Sequence, residues 1–247
     1  KTFNKYLKAL WSEFEIESNM SPFQSYTWLS NWYDVVGEKA KIHPLIIIIR
    51  KKEELIAIFP MSIKKTKFLN TIEWLGGMHC DYMAPLLKKG FIFKRKEFLN
   101  IWEDIQYKLP SHDLILLSNQ PSTIGSVDNP FVKFLKVKEK TVAYSRSLKG
   151  NWEKFYNKIL KKKIRLDSKR NLRNLEKIGK VEFIISDSKN NSKKIIEKMI
   201  VQKRYRYIST GSKDLLLKKE HRDFYFRLSD INSKFLNLHF SAIKINN

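Results

Sequence analysis

The stretch PLIIIIRKKEELIAIFPMSIKK, from Pro44 to Lys65, constrains the fold more than any other. It holds two apolar runs rich in β-branched residues, separated by the charged group Lys51, Lys52, Glu53 and Glu54. Each run is too short for a helix of ordinary length, and isoleucine in such density favours a pleated, well-covered strand. The stretch therefore predicts a β-hairpin with a charged turn. Pro60 lacks a backbone N–H, which predicts that the second strand is an edge or carries a bulge. The longest aliphatic run, Leu45 to Ile49, is far too short to cross a bilayer.

Helical and strand signals alternate around this hairpin. SPFQSYTWLSNWYDVVG reads as an aromatic helix from about Gln24 to Val36, with Ser21 and Pro22 as start signals and Gly37 as the stop. FLNTIEWLGG continues as a strand into a glycine pair. In FKRKEFLNIWEDIQYKL, Phe98, Leu99, Ile101, Trp102 and Ile105 fall at helical spacing. DLILLS reads as a short strand, a breaker-rich loop follows, and Thr141–Leu148 alternates as a strand. After Gly150 the chain turns to long basic helices, with strands only at VEFIIS and FLNLHFSAIKI. That last strand, ending at Asn246 and Asn247, has the form of a hairpin's first arm without its second. On this reading a terminal strand without a partner predicts truncation at the C-terminus.

With 247 residues and 43% apolar content the chain can bury one sizeable core or two small ones. A single cysteine, Cys80, excludes an intramolecular disulfide framework and suits a reducing compartment, so the cytoplasm is the expected location. No secretory leader is read at the start of the sequence, which begins at Lys1 without a methionine, so residues upstream are expected to be missing; no transmembrane segment is expected. The net charge of +23 is unevenly spread. Residues 1–150 hold 23 basic and 15 acidic groups, and residues 151–247 hold 25 and 10. The shorter part is the more basic, and a positive field of that density attracts RNA, nucleotide phosphates or anionic lipid headgroups.

Three stretches carry candidate chemistry. The first, KKKIRLDSKRNLRNLEKIG at 161–179, sets eight cations against Asp167 and Glu176. Its Leu160, Ile164, Leu172 and Leu175 form one apolar stripe expected to face a core. Ser168 interrupts that stripe and is a candidate cap for a second helix, while Gly179 is the expected C-terminal stop. An arginine at 170 offers the paired N–H donors that phosphate oxygens accept, with Ser168 as a lighter partner. A phosphate clamp, an RNA grip and a solvated helix face all fit the stretch.

The second, GGMHCDYMAPLL, presents Asp81 after two glycines and among Trp74, Met78, Tyr82 and Met83. Apolar surroundings of that kind raise a carboxylate's pKa if the site is buried, which suits a base for an ammonium proton; a turn or capping aspartate fits equally. His79 and Cys80 are adjacent, so on a strand they point to opposite faces and make no nucleophile pair. His43, His112, His221 and His239 are scattered without ligand spacing, so no metal is expected. The third stretch, KMIVQKRYRYISTGS, interleaves Lys203, Arg204 and Arg206 with Tyr205 and Tyr207. It suits base stacking with phosphate contacts, or a helix end whose tyrosines pack inward. Lys203 is retained as a candidate substrate contact.

Taken in order, the aromatic helix, the isoleucine hairpin, IEWLGGMHCDYMAPLL, the 152–186 stretch WEKFYNKILKKKIRLDSKRNLRNLEKIGKVEFIIS and LNLHFSAIKIN resemble the CelD/BcsL family of acetyltransferase-like proteins. That family, associated with cellulose biosynthesis, is similar in turn to the Fem-type aminoacyl transferases. The resemblance covers nearly the whole chain in order and spacing, through loose individual motifs. It implies a mixed α/β (α+β) tandem GNAT-like fold: a first half over residues 1–149, and basic helices with the start of an incomplete second half over 150–247. It implies N-acyl transfer, of acetyl first among acyl groups, from acyl-CoA to an amine on a sugar or cell-envelope polysaccharide precursor. Asp81 takes the place of an acidic residue in the family's pattern, and Ser168, Lys169 and Arg170 match a Fem-type segment lying against the diphosphate of a nucleotide-linked acceptor. The alternatives are transfer from aminoacyl-tRNA, or a non-catalytic basic protein binding RNA or nucleotides; peripheral contact with an anionic membrane is a further expected partner. One departure stands out: the glycine-bearing pyrophosphate loop of GNAT enzymes has no counterpart here, so the acyl-CoA donor loop is not present in this chain.

Overall fold

The computed structural model describes residues 3–136, 150–231 and 236–246. The expected strand at Thr141–Leu148 lies outside them. The architecture mixes helices with several sheets. The chain divides into two units, one of Lys1–Lys140 with Lys203–Leu238 and the other of Thr141–Gln202 with His239–Asn247. Residues 203–238, read from sequence as part of a second half, thus cluster with the first.

In the first unit α1 (Lys5–Glu17) buries Leu7, Trp11 and Phe14 at helical spacing. A two-residue strand β1 (Ser18–Asn19) and a 3-10 turn (Pro22–Gln24) lead to α2 (Tyr26–Trp32), capped by the Ser25 hydroxyl and continued as a π-helical turn through Gly37. The hairpin is present as β2 (Ile42–Lys51) and β3 (Glu54–Lys65), antiparallel and joined by Lys52 and Glu53. Both turn residues have positive φ, 47° and 64°, the requirement of a tight turn that matches the twist of its strands.

Of the two expectations for Pro60, the edge strand does not hold, because β3 lies inside the sheet; β3 does carry a register irregularity, but at Ile56, opposite Ile49 and Arg50, and not at Pro60. It pairs with β2 on one side, and on the other with β5 (Leu86–Lys88) and β4 (Asn70–Trp74). Pro60 fits where those two partners change over. Pairing to β5 uses Ala57 and Ile58, pairing to β4 begins at Met61, and the Pro60 carbonyl accepts from Leu75 N at 2.8 Å. Its missing donor faces the same side, at the step between the two ladders. Residues Ile56 to Ile63 of β3 are all buried, as a strand covered on both faces requires.

From β4 the chain reaches α3 (Arg95–Lys108), which buries Phe98, Trp102 and Ile105, then β6 (Leu114–Leu116), parallel to β4. A small ladder of β7 (Thr123–Ile124) and β8 (Val127–Asp128) precedes α4 (Pro130–Phe134). Phe131 of α4 sits between the edges of Phe59, Trp74, Phe98 and Trp102, all with centroids 5.1–5.2 Å away. That aromatic cluster is the centre of the core.

The second unit holds α5 (Trp152–Lys154), α6 (Lys162–Glu176), β9 (Val181–Ile185), most of α7 (Lys189–Ser209) and β10 (Ser241–Ile245). The terminal strand has a partner after all. β10 pairs antiparallel with β9 over five residues, and Asn246, whose φ is 56°, is tied to Lys180, its N–H donating to the Lys180 carbonyl and its Oδ1 accepting from Lys180 N; Asn247 lies outside the described residues. Gly179 is therefore a glycine of close approach: a Cβ there would lie 2.0 Å from Asn246 Oδ1. The expected second helix at Ser168 is absent. α6 runs unbroken, because the Ser168 hydroxyl bonds back to the Ile164 carbonyl at 2.9 Å and leaves the helix ladder in place. Its apolar stripe does not meet a core, since α6 has no buried residue. Among the described residues no helix is long and apolar enough to cross a membrane.

Candidate functional site

The site with most built geometry belongs to the first unit and starts at the glycine pair after β4. Gly76 has φ of 113° and Gly77 of 52°. A Cβ on Gly76 would lie 2.3 Å from Cys80 Sγ and 3.1 Å from Leu29, and one on Gly77 would lie 3.3 Å from Trp32. Only glycine combines that backbone with that closeness. The resulting 3-10 turn, Gly77–His79, presses His79 against α2, where its Nδ1 accepts from the Trp32 indole N–H at 3.1 Å.

The other side of His79 meets α8 (Lys219–Leu228), which returns to the first unit from far along the chain. His221 Nδ1 stands 3.2 Å from His79 Nε2, and the two rings are 24° from parallel. Phe224, fully buried, sets its edge against both His79 and Trp28. Arg227 Nε donates to Asn31 Oδ1 at 2.8 Å. Arg222 and Arg204 are also engaged, with the carbonyls of Leu216 and Leu217 and with Asp214 respectively.

This arrangement fixes where the protons are. An indole nitrogen only donates, so His79 Nδ1 must be bare and its proton must sit on Nε2. That proton is donated to His221 Nδ1, which must be bare in turn. His221 therefore carries its own proton on Nε2 and presents it as a donor. Both rings are neutral in this chain, and their surroundings agree. Burial, followed by the charges of His221 and Lys203, lowers the His79 pKa to about 4. Burial likewise lowers that of His221, with Glu220 opposing and Lys218 assisting.

The same logic decides what the pair can do. It cannot chelate a metal through the facing nitrogens, because His79 Nε2 has no free lone pair while Trp32 occupies Nδ1. Nor does His221 Nε2 act as a base, since its lone pair lies on the other nitrogen. The pair is a hydrogen-bond donor for an anionic or carbonyl oxygen, with the ammonium of Lys203 nearby, 5.9 Å over the Tyr225 ring. Among the described residues no three His, Cys, Asp or Glu side chains gather as a metal site. Cys80 is no nucleophile: burial pushes its thiol up to about 12, outweighing the Trp28 indole N–H that lowers it.

The candidates read from sequence fare differently. Lys203 lies over the Tyr225 ring, which itself packs against His79, and its charge is felt at His79. Asp81 lies two residues beyond His79 in an exposed bend, so the apolar burial expected around it is absent. Ser168 and Arg170 belong to the other unit. Arg170 is two-thirds exposed, and its guanidinium meets Asp167 of its own helix at 3.0 Å. An outward, ion-paired arginine gives a clamp in a cleft no support, and the charge of the stretch alone remains. Tyr205 is 74% exposed, so it does not pack inward as one reading of its helix end required. The histidine pair itself has no sequence signature, because 142 residues separate its members.

Comparison with protein-family models, with curated proteins and with solved structures finds no match to this chain.

Proposed function

We propose that the chain is an N-acyltransferase with a GNAT-like first half, of the CelD/BcsL type, moving an acyl group, acetyl first among them, from acyl-CoA to an amine on a sugar or envelope precursor. One observation carries this reading. The antiparallel run β2–β3–β4 is followed by the short strand β5, which also pairs with β3, then by α3 and by β6 parallel to β4, a mixed sheet with a helical crossover that is compatible with the GNAT-like half the resemblance implies. Ligands of α/β sheets gather beyond the carboxyl ends of parallel strands. Here the loops leaving β4 and β6 are tied together there, Asn119 Nδ2 donating to the Cys80 carbonyl at 3.3 Å and Met83 N to the Asn119 carbonyl at 2.9 Å. His79 and Asp81 sit in that same loop.

In the reaction the neutral amine attacks the thioester carbonyl carbon, the C–S bond breaks, the CoA sulfur leaves with the electron pair, and the proton that the nitrogen sheds as the amide forms passes to that sulfur to give the free thiol. His221 Nε2–H is the donor to the oxygen on which negative charge develops, with the Lys203 ammonium adding positive charge on the Tyr225 side of the pair. Asp81, the carboxylate that the resemblance points to, is the proposed acceptor of the ammonium proton before attack, acting from an exposed bend and without the burial that would strengthen it as a base. The test is thiol release from acetyl-CoA by the intact chain offered amino sugars, with a parallel thermal-shift assay. Release above background, with kcat lowered about tenfold to a hundredfold in His221→Phe, supports the reading. No thermal shift and no thiol release with any acceptor overturns it.

A second reading has one observation behind it. Tyr205 and Arg206 are both exposed on the basic helix α7, which suits a base stacked on an aromatic ring and held by its phosphate. It predicts tRNA binding with steep salt dependence, as donor carrier for a Fem-type transfer or as the ligand of a non-catalytic protein.

A further inference from the structure

Helix α6 joins two properties that are costly to keep together in water. Its apolar stripe is uncovered: Ile164 is 48% exposed, Leu172 47%, and Ile178, just past the helix, 67%. Around that stripe stand the lysines and arginines of the 161–179 stretch, against only Asp167 and Glu176. The Asp167 carboxylate is already engaged by Arg170. Arg165, turned toward the preceding segment through Asn157 Oδ1 at 3.1 Å, keeps the helix attached to its unit along one flank. The opposite requirement, an acidic surface that also offers hydrocarbon, is met by an anionic bilayer.

A nucleic acid would satisfy the charge but not the stripe. No aromatic ring occurs between 161 and 179 to stack on a base, and aliphatic side chains gain little from a phosphate backbone. The same unit exposes a second apolar face. Phe183 and Ile185 of β9 point to one side of the small sheet, and Ile243 of β10 is paired in register with Phe183; all three are more than half exposed.

We propose that α6 is a peripheral membrane-docking helix, lying in the plane of an anionic lipid surface with Ile164, Leu172 and Leu175 turned into the headgroup–acyl boundary. Its cations sit at headgroup level, their aliphatic stems alongside the stripe. The docking is independent of the transfer chemistry proposed above. It needs neither acyl-CoA nor the histidine pair.

The experiment is co-sedimentation of the intact chain with vesicles of phosphatidylcholine alone and of phosphatidylcholine mixed with phosphatidylglycerol. Binding to the mixed vesicles only is expected, weakening as salt rises. The decisive variant is Ile164→Ser with Leu172→Ser, which leaves every charge in place and changes two side chains already half in solvent; circular dichroism checks that it stays folded. Partition about tenfold or more weaker in that variant supports insertion of the stripe. Unchanged partition overturns the proposal, because the chain then adsorbs by charge alone. Failure of the parent chain to bind the mixed vesicles overturns it as well. So does release of bound chain from vesicles by an equal charge of RNA at the same salt.

Discussion

Glu15 shows how a single residue stores a pH dependence in this fold. Its carboxyl is buried between α1 and the start of α2, where Oε1 accepts from Tyr26 N at 2.5 Å. Desolvation outweighs that hydrogen bond and raises its pKa to about 7, from about 4.5 for an ordinary glutamate. The folded chain therefore holds a proton that the unfolded chain gives up between those values. The stabilisation is complete below pH 4.5 and is lost as the pH rises through 7. Glu15→Gln keeps the shape and removes the titration. Relative to that variant, the parent chain is expected to lose on the order of 3 kcal/mol between pH 5 and pH 8 in urea unfolding. Parallel stability curves would show that Glu15 is ionised throughout.

At the scale of elements, the hairpin is where sequence and structure agree most closely and where they part most instructively. The two strands and the charged turn are legible because β-branched residues recur on both arms; α3 is legible because Phe98, Trp102 and Ile105 recur at helical spacing. The position of Pro60 inside the sheet is not legible, since it depends on two other strands changing over beside it. Nor does the sequence announce that Lys52 and Glu53 both take a left-handed backbone, a conformation ordinarily given to Asn-Gly. Replacing Lys52-Glu53 by Asn-Gly is expected to stabilise the chain by about 1 kcal/mol, read as a shift in the urea midpoint with unchanged slope. A destabilised hairpin would mean that the two charged side chains hold the turn. In α6 the stripe itself is legible, but whether anything covers a stripe is a property of the fold and not of the helix.

At the scale of the molecule, the chain leaves its first unit and comes back to it. Residues 203–238 return α8, and with it His221, to a turn laid down 142 residues earlier. No local periodicity encodes such a meeting, which is why Asp81, Ser168 and Arg170 stand out in the sequence while the histidine pair does not. The neutral chain of Trp32, His79 and His221 ties this return to pH with a sign opposite to that of Glu15. A histidine whose pKa is lowered on folding contributes stability that is present above about 6.5 and lost as the pH falls through about 4. The most direct test of the account is an NMR titration of the intact chain that resolves the ring nitrogens of both histidines. At pH 7 both rings should carry their proton on Nε2, and His79 should stay neutral down to about pH 4. A proton on His79 Nδ1, or two histidines titrating independently near 6.5, would contradict it.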